Sequence, residues 1–163
     1  MLFRSERARA VDRLGQCCDM AASEGLSVAI EFCPMTPGCK SIAEARWFVE
    51  QVARPNLGFG ICPMHLVRSG GTAADVAAQP VLYGQINDGK GLHISSAYFD
   101  EVHDRELPGA GSFPLREILS ALPPGAPIEV KLPRDSRIKA GEPARPFLEA
   151  AYRLSRDLVD GLG

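Results

Sequence analysis

The stretch Ser27-Val28-Ala29-Ile30-Glu31-Phe32-Cys33-Pro34 decides the fold of this chain. A short apolar run is typical of a buried parallel β-strand, and the proline behind it marks the start of a loop. One carboxylate, Glu31, comes where the strand gives way to that loop. Ligands of α/β proteins bind at the carboxyl ends of strands, so Glu31 is a candidate site residue. On this stretch alone, a partly exposed and salt-bridged glutamate is the alternative interpretation.

The pattern of strands and helices repeats along the rest of the chain. Strands are predicted at Ser27–Phe32, Asn56–Cys62, Val81–Ile86 and Ile128–Leu132. Apolar periodicity and capping or stop residues predict five helices: Glu6–Glu24, one opened by a Ser41–Glu44 capping box and closed by Pro55, one from Thr72 to Pro80, one capped by Ser112, and Ala144–Val159. Alternating strands and helices indicate a parallel α/β sheet with right-handed crossovers. The loop Lys90–Gly111 is predicted to be functional or disordered because of its length.

Composition excludes several classes of protein. The 163 residues, 45% of them hydrophobic and with a net charge of −2, suit one globular domain. A basic stripe with interleaved aromatic residues is absent, so no nucleic-acid partner is expected. No apolar run reaches the roughly 20 residues of a membrane helix, and the N-terminus lacks the apolar core of a signal peptide. Five cysteines, an odd number, favour a reducing cytoplasm.

Four motifs follow the predicted strands in order. They are Glu31-Phe-Cys-Pro-Met-Thr36, Cys62-Pro-Met-His65-Leu-Val-Arg68, Gln85-Ile-Asn-Asp88-Gly89 and Arg105-Glu-Leu-Pro-Gly-Ala-Gly111. Together they resemble the C-terminal half of the sugar phosphate isomerase/epimerase family, the xylose isomerase-like TIM barrels. They are also similar to the bacterial 3-dehydroshikimate dehydratases built on the same scaffold. The resemblance implies a single domain over residues 1–163, with four strands and about five helices, that lacks the N-terminal β/α units of the barrel.

The resemblance also implies a divalent metal, Mn, Mg or Zn, held at the strand ends. Glu31 matches the first ligand of the family, and Gln85 matches the third ligand in its glutamine form. Cys62 stands where the family has an aspartate, and Lys131 stands where it has its last glutamate. Because an ammonium repels a cation, we expect the metal site to be weakened or lost and Lys131 to pair with Glu31 or Glu129.

Further roles follow from the same resemblance. His65 matches a substrate-binding histidine, Asp88 an acid that follows the third ligand, and Arg105 a basic residue that meets an anionic or carbonyl group of the substrate. The implied activity is isomerisation or epimerisation of a small polyol or keto-sugar through an enediolate. Glu31, His65 and Lys131 are the candidate catalytic residues.

Several alternatives stay open. The chain could be a non-catalytic remnant or a half-barrel that only binds a ligand, or a lyase like the dehydratases. Cys33, Cys39, Cys62 and His65 could instead hold zinc, although free cysteines are commonly buried small hydrophobes. Lys131 could form a Schiff base. Half a barrel leaves open sheet edges, so a homo-oligomer, or a missing half supplied by another polypeptide, is expected.

Overall fold

A computed structural model describes residues 4–162, and the exposure of side chains from residue 5 onward. Its centre is a four-stranded parallel sheet in the order β1-β2-β3-β4. The strands are β1 (Val28–Ile30), β2 (Leu57–Ile61), β3 (Val81–Ile86) and β4 (Ile128–Val130). The predicted parallel α/β arrangement is therefore confirmed. The two outer strands are shorter than predicted, with three paired residues each.

Eight helices surround the sheet within the described residues: α1 (Arg4–Ser23), α2 (Ile42–Val52), α3 (Pro63–Arg68), α4 (Ala73–Ala77), α5 (Tyr98–His103), α6 (Leu115–Ser120), α7 (Asp135–Lys139) and α8 (Ala144–Asp160). Three of them were not predicted, namely α3, α5 and α7. Each has only five or six residues, too few for an apolar period to show. None of the described helices is long and apolar enough to cross a membrane.

The predicted Ser41–Glu44 capping box is only half formed, because the Glu44 carboxylate accepts the amide of Lys40 and not that of Ser41. The cap predicted at Thr72 is a complete capping box. The Ser41 hydroxyl accepts the amide of Glu44 at the start of α2. At α4, the Thr72 side chain accepts the Asp75 amide while the Asp75 carboxylate accepts the Thr72 amide. The predicted cap at Ser112 is wrong, because α6 begins three residues later, behind Pro114. The Ser112 hydroxyl instead accepts the amide of Gly91 across the long loop.

The glycines of β2 are explained by a bulge in β3. Phe59 pairs with Val81, and the next residue of β2, Gly60, pairs with Tyr83, so Leu82 is an extra residue in the ladder. A Cβ atom on Gly58 would lie 2.7 Å from Cγ of Leu82, and one on Gly60 would lie 2.6 Å from the Tyr83 ring. Any larger residue at these two positions would clash with a neighbouring side chain, so β2 packs closely only because both are glycine.

The main core lies between the sheet and the helices that cover it. Every residue of β2 is buried. Its side chains pack with those of α3, α4 and α6, and the largest fully buried members of the core are Tyr98, Phe32, Phe59, Ile61, Met64, Leu66, Ile86 and Ile118. The edge strand β4 is open by comparison, since Val130 is 44% exposed. A second, smaller cluster around Cys18, Val52 and Leu57 joins α1 and α2 to the sheet.

Asp88 organises the loop after β3, which is ordered and contains α5. Its carboxylate accepts four backbone amides, those of Gly89, Gly109, Gly111 and Phe113, at 2.8–3.1 Å. The side chain is almost completely buried. A Cβ on Gly111 would collide with Oδ1 of Asp88, so this turn requires glycine. Asp88 is thus the anchor of the loop.

Arg68 fixes the other side of this loop to α3. Its guanidinium donates to the carbonyls of Lys90 and Gly91, both at 2.7 Å, and to the Glu101 carboxylate of α5 at 2.8 Å. The guanidinium also lies over the Phe113 ring. All of these partners belong to the loop between β3 and α6. Arg68 therefore holds α5 against the carboxyl ends of the strands.

Candidate functional site

Three side chains that could bind a ligand meet at the carboxyl ends of β1 and β2. Glu31 follows β1, Cys62 follows β2, and His65 lies in α3, which starts directly after Cys62. One oxygen of Glu31, the Cys62 sulfur and a ring nitrogen of His65 all lie within 4.8 Å of one another. The strand ends thus bring together residues that are 34 positions apart in the sequence.

Two cationic side chains bind Glu31. The Lys131 ammonium lies 2.9 Å from Oε1 and 3.2 Å from Oε2 of Glu31. Nε2 of His65 lies 3.1 Å from Oε1. Burial alone would raise the pKa of the Glu31 carboxyl, but the hydrogen bonds from His65 and Lys131 lower that pKa to about 2. Glu31 is therefore ionised at neutral pH, and its expected partner is Lys131.

His65 has a second partner on the far side of its ring. Its Nδ1 lies 2.6 Å from the hydroxyl of Tyr98, a fully buried residue of α5. Burial alone would lower the pKa of His65, but the neighbouring Cys62 and Glu31 raise that pKa to about 9. Tyr98 was missed from the sequence because it lies in the long loop, 33 residues beyond His65. Only the position of that loop over the strand ends could have suggested it.

Cys62 lies beneath this group and is completely buried. Nη1 of Arg105 lies 3.3 Å from the Cys62 sulfur, and Nδ2 of Asn87 lies 3.5 Å from it. Burial alone would raise the pKa of the thiol, but the hydrogen bond with His65 and the charges of His65 and Arg105 lower that pKa to about 7. The thiol is thus set up to share a proton with its histidine neighbour.

Gln85 extends the cluster to β4. Its amide nitrogen donates to Oε2 of Glu31 at 3.3 Å and to Oε2 of Glu129 at 3.0 Å. Its oxygen Oε1 is buried and has no hydrogen-bond partner among the described residues. Glu129 is the other partner that the sequence offers for Lys131. It contacts the cluster through Gln85, while the ammonium of Lys131 pairs with Glu31.

The remaining candidates lie around this cluster in different ways. Arg105 is 6% exposed and also donates to the Val102 carbonyl, so its role toward a substrate stays a prediction. The four proposed zinc ligands do not form one group. The Cys33 sulfur lies 3.9 Å from the Tyr98 hydroxyl. The Cys39 thiol is influenced instead by Glu44 and Arg7, and its pKa is raised to about 11, chiefly by burial.

Comparison with known proteins identifies the fold family. Residues 4–150 match the family described as xylose isomerase-like TIM barrel. The chain belongs to this family. No curated protein matches the chain.

Solved structures agree on the fold. A crystal structure of IolI protein with a binding zinc atom matches with a TM-score of 0.82 at 24% identity. The match covers 100% of this chain and 60% of the IolI chain. D-allulose 3-epimerase from Methylomonas sp. matches with a TM-score of 0.73 at 18% identity, over 96% of this chain and 57% of the epimerase chain. The probable 3-DHS dehydratase AsbF from Bacillus anthracis matches with a TM-score of 0.68 at 16% identity, over 79% of this chain and 51% of the AsbF chain. The chain thus spans about 60% or less of the length of these three proteins.

By resemblance, four positions match the metal ligands of the family: Glu31, Cys62, Gln85 and Lys131. They offer one carboxylate and one ammonium, which is a poor donor set for a divalent ion. The Lys131 ammonium contacts both oxygens of Glu31, where the cation would have to bind. Gln85 also presents its nitrogen, not its oxygen, to the two carboxylates. A different set, Glu31, Cys62 and His65, could hold a metal ion, since carboxylate, thiolate and imidazole are zinc ligands. The identity of such an ion is not established by these residues.

Proposed function

We propose that this protein acts on a small polyol or keto-sugar, moving a proton beside a carbonyl through an enediolate. The observation that supports the proposal is the contact of Lys131 with both oxygens of Glu31, at the strand ends where ligands of such folds bind. An ammonium there can stabilise an oxyanion that develops on the substrate, which is what the proposed reaction requires. The proposal needs no metal.

Each of the three proposed catalytic residues has a distinct role. Lys131, whose side chain is 32% exposed, turns toward the substrate carbonyl oxygen and stabilises its growing negative charge. Glu31 takes the proton from the neighbouring carbon and returns it to the enediolate. With both partners bound, the low pKa of Glu31 makes it a weak base, so the movement of Lys131 toward the substrate raises its basicity. His65 keeps the carboxylate oriented through its 3.1 Å contact.

Exchange of carbon-bound hydrogen tests this proposal. Ketoses and keto-sugars are incubated with the protein in D2O with a chelator present, and deuterium beside the carbonyl is followed by proton NMR. We expect exchange with at least one ketose and its loss in Lys131→Met. Lys139→Met, which removes an exposed lysine of α7, is the matched control and should keep the activity. A panel with no exchange, or unchanged exchange in Lys131→Met, contradicts the proposal.

A second candidate function is binding without catalysis. It is favoured by the complete burial of Cys62 and by the saturation of Glu31 with two cationic partners. Calorimetry would then show a polyol bound in stoichiometric amount with no deuterium exchange. A third candidate is a lyase like the dehydratases, which would begin with the same removal of a proton. Loss of water from a hydroxy ketone incubated with the protein would reveal this activity.

The cellular location, the partner and the assembly of the protein are also proposals. All five cysteines lack a disulfide partner, which suits the reducing cytoplasm that we propose as the location. The partner is a small sugar-like molecule, and the assembly is a homo-oligomer or a complex that completes the barrel.

A further inference from the structure

A buried cation without enough partners lies between β4 and α8. The side chain of Arg134 is 9% exposed. Its Nε and Nη1 atoms are buried and have no hydrogen-bond partner among the described residues. Its Nη2 atom reaches Oε2 of Glu142 only at 3.5 Å, which is long for a charge-assisted hydrogen bond. Buried polar groups are rarely left unpaired, so these N–H groups call for an acceptor that is not part of the chain.

The start of α8 is at the same place. This helix has 17 residues, and its N-cap, Pro143, provides no side-chain hydrogen bond. The first amides of a helix have no partner within the helix and form its positive end. The guanidinium carbon of Arg134 lies 4.3 Å from the ring centroid of Phe147, the fourth residue of α8. The unpaired guanidinium and the uncapped helix start therefore meet in one turn.

A second guanidinium shares this turn. Arg137 lies 5.8 Å from the same Phe147 ring, and its Nη1 atom lies 3.4 Å from Oε2 of Glu142. One carboxylate, 46% exposed, thus serves two arginines at long distances. The two guanidinium groups thus carry one more charge than the single carboxylate they share. Because Glu142 is exposed and weakly held, an external anion can displace it.

We propose that Arg134, Arg137 and the first turn of α8 form a binding site for an oxyanion of the phosphate class. The anion takes the place of the Glu142 carboxylate and accepts the free N–H groups of Arg134 and the amides of Ala144 and Arg145, since Pro146 in the same turn has no N–H. The site lies at the same edge of the sheet as the strand-end cluster, since the backbone of Arg134 pairs with Asp104, the neighbour of Arg105. The proposal does not depend on the proposed function, because inorganic phosphate alone is its probe.

Calorimetric titration of sodium phosphate into the full chain, in chloride buffer of constant ionic strength, tests the site. We expect saturable binding that Arg134→Met and Arg137→Gln each weaken at least fivefold. Glu142→Gln should strengthen it severalfold, because the competing carboxylate is gone. Arg153→Gln, which removes an exposed arginine further along α8, is the matched control and should change nothing.

Two of these variants keep the test valid if Arg134→Met folds poorly. Arg137 and Glu142 are about half exposed, so changing them leaves the core intact. Absence of saturation in the parent, or weaker phosphate binding in Glu142→Gln, overturns the proposal. An equal loss of phosphate affinity in Arg153→Gln and Arg137→Gln also overturns the proposal. Tighter binding of glycerol phosphate than of phosphate would assign the anion to a phosphorylated substrate, and equal binding would assign it to free phosphate; both support the site.

Discussion

At the scale of single residues, the pairing of Lys131 with Glu31 determines what the strand-end cluster can do. The ammonium neutralises a carboxylate that is three-quarters buried and that also binds His65. A buried carboxylate without such a partner would destabilise the folded protein, whereas the paired carboxylate stays ionised at neutral pH. Because the ammonium contacts both oxygens of Glu31, we expect this pair to oppose a cation at the position that matches the family's metal by resemblance. By resemblance, the family has a glutamate at the position of Lys131, where it would bind a metal. The lysine found here forms an ion pair with Glu31.

The first prediction concerns that charge. Lys131→Met leaves Glu31 with His65 and the Gln85 amide as partners, whereas Lys131→Glu places two carboxylates together. We expect both variants to be less stable than the parent without metal, and Lys131→Glu to be the worse by roughly 1–3 kcal/mol. Urea unfolding of both variants and the parent, with a chelator present, measures the difference. Equal stabilities of the two variants would mean that the ion pair contributes nothing.

At the scale of elements, the capping box of α4 gives a prediction with a pH dependence. The hydrogen bonds from the Thr72 side chain and backbone lower the pKa of the Asp75 carboxyl below its ordinary value. A lowered folded-state pKa contributes stability above the unfolded-state pKa, and this stability is lost as the pH falls through the folded-state pKa.

Asp75→Ala should therefore be less stable than the parent at pH 7, by about 0.5–1 kcal/mol. The difference should begin to shrink as the pH falls below about 4, the ordinary pKa of an aspartate, and should be lost as the pH falls through the lower pKa of the folded state. Urea unfolding at several pH values checks this, with Asp100→Ala as a control for an exposed acid elsewhere. A difference that stays constant down to pH 2.5 would show that the charge of Asp75 plays no part.

The turn around Asp88 gives the third prediction. Gly111→Ala would push a Cβ toward the Asp88 carboxylate and the Gly89 backbone, neither of which can move freely. We expect it to destabilise the protein by about 1–3 kcal/mol. Ala110→Ser, at the exposed neighbouring position, should have little effect. Thermal unfolding of both variants compares them, and a Gly111→Ala variant as stable as the parent would show that the loop can adapt.

Much of the fold could be predicted because the apolar runs and capping boxes are local signals. The serine cap at Ser41, the capping box at Thr72 and the strand Val81–Ile86 are present where the sequence predicts them. The short helix α3 was not predicted, since a proline that seems to end β2 in fact begins a helix. The bulge at Leu82 also leaves no trace in the sequence, because it depends on the pairing of two strands.

The candidate site was only partly predictable for a similar reason. Glu31, Cys62, His65 and Lys131 follow strand ends, and Gln85 is the penultimate residue of β3, so the shared edge of a parallel sheet brings them together. Tyr98 and Arg134 lie in connections, where position depends on how Asp88 and Arg68 anchor the long loop. No spacing in the sequence links them to the cluster. Their contacts come from tertiary structure alone.

At the scale of the whole molecule, the open edges of the sheet predict association. Within the described residues, β1 and β4 each pair with one neighbour only. Unpaired edges and exposed apolar residues such as Val130 favour pairing with another chain. We expect the 163-residue chain expressed by itself to form a dimer or larger oligomer. Light scattering coupled to gel filtration checks this, and a soluble monomer with cooperative unfolding would contradict it.

The central claim is that Lys131, together with Cys62, replaces the metal site of the family. The double variant Cys62→Asp with Lys131→Glu restores two carboxylates beside Glu31 and Gln85, a ligand set suited to manganese. Each single variant should gain little, since one new ligand leaves the charge balance poor.

The most direct measurement is calorimetric titration of manganese into parent, single variants and double variant in one buffer. The double variant should bind manganese measurably, and the metal should raise its melting temperature through linkage. The parent should bind it weakly or not at all, because its ammonium contacts both oxygens of Glu31. Tight, stoichiometric manganese binding by the parent would contradict the account and would point to Glu129 as a ligand.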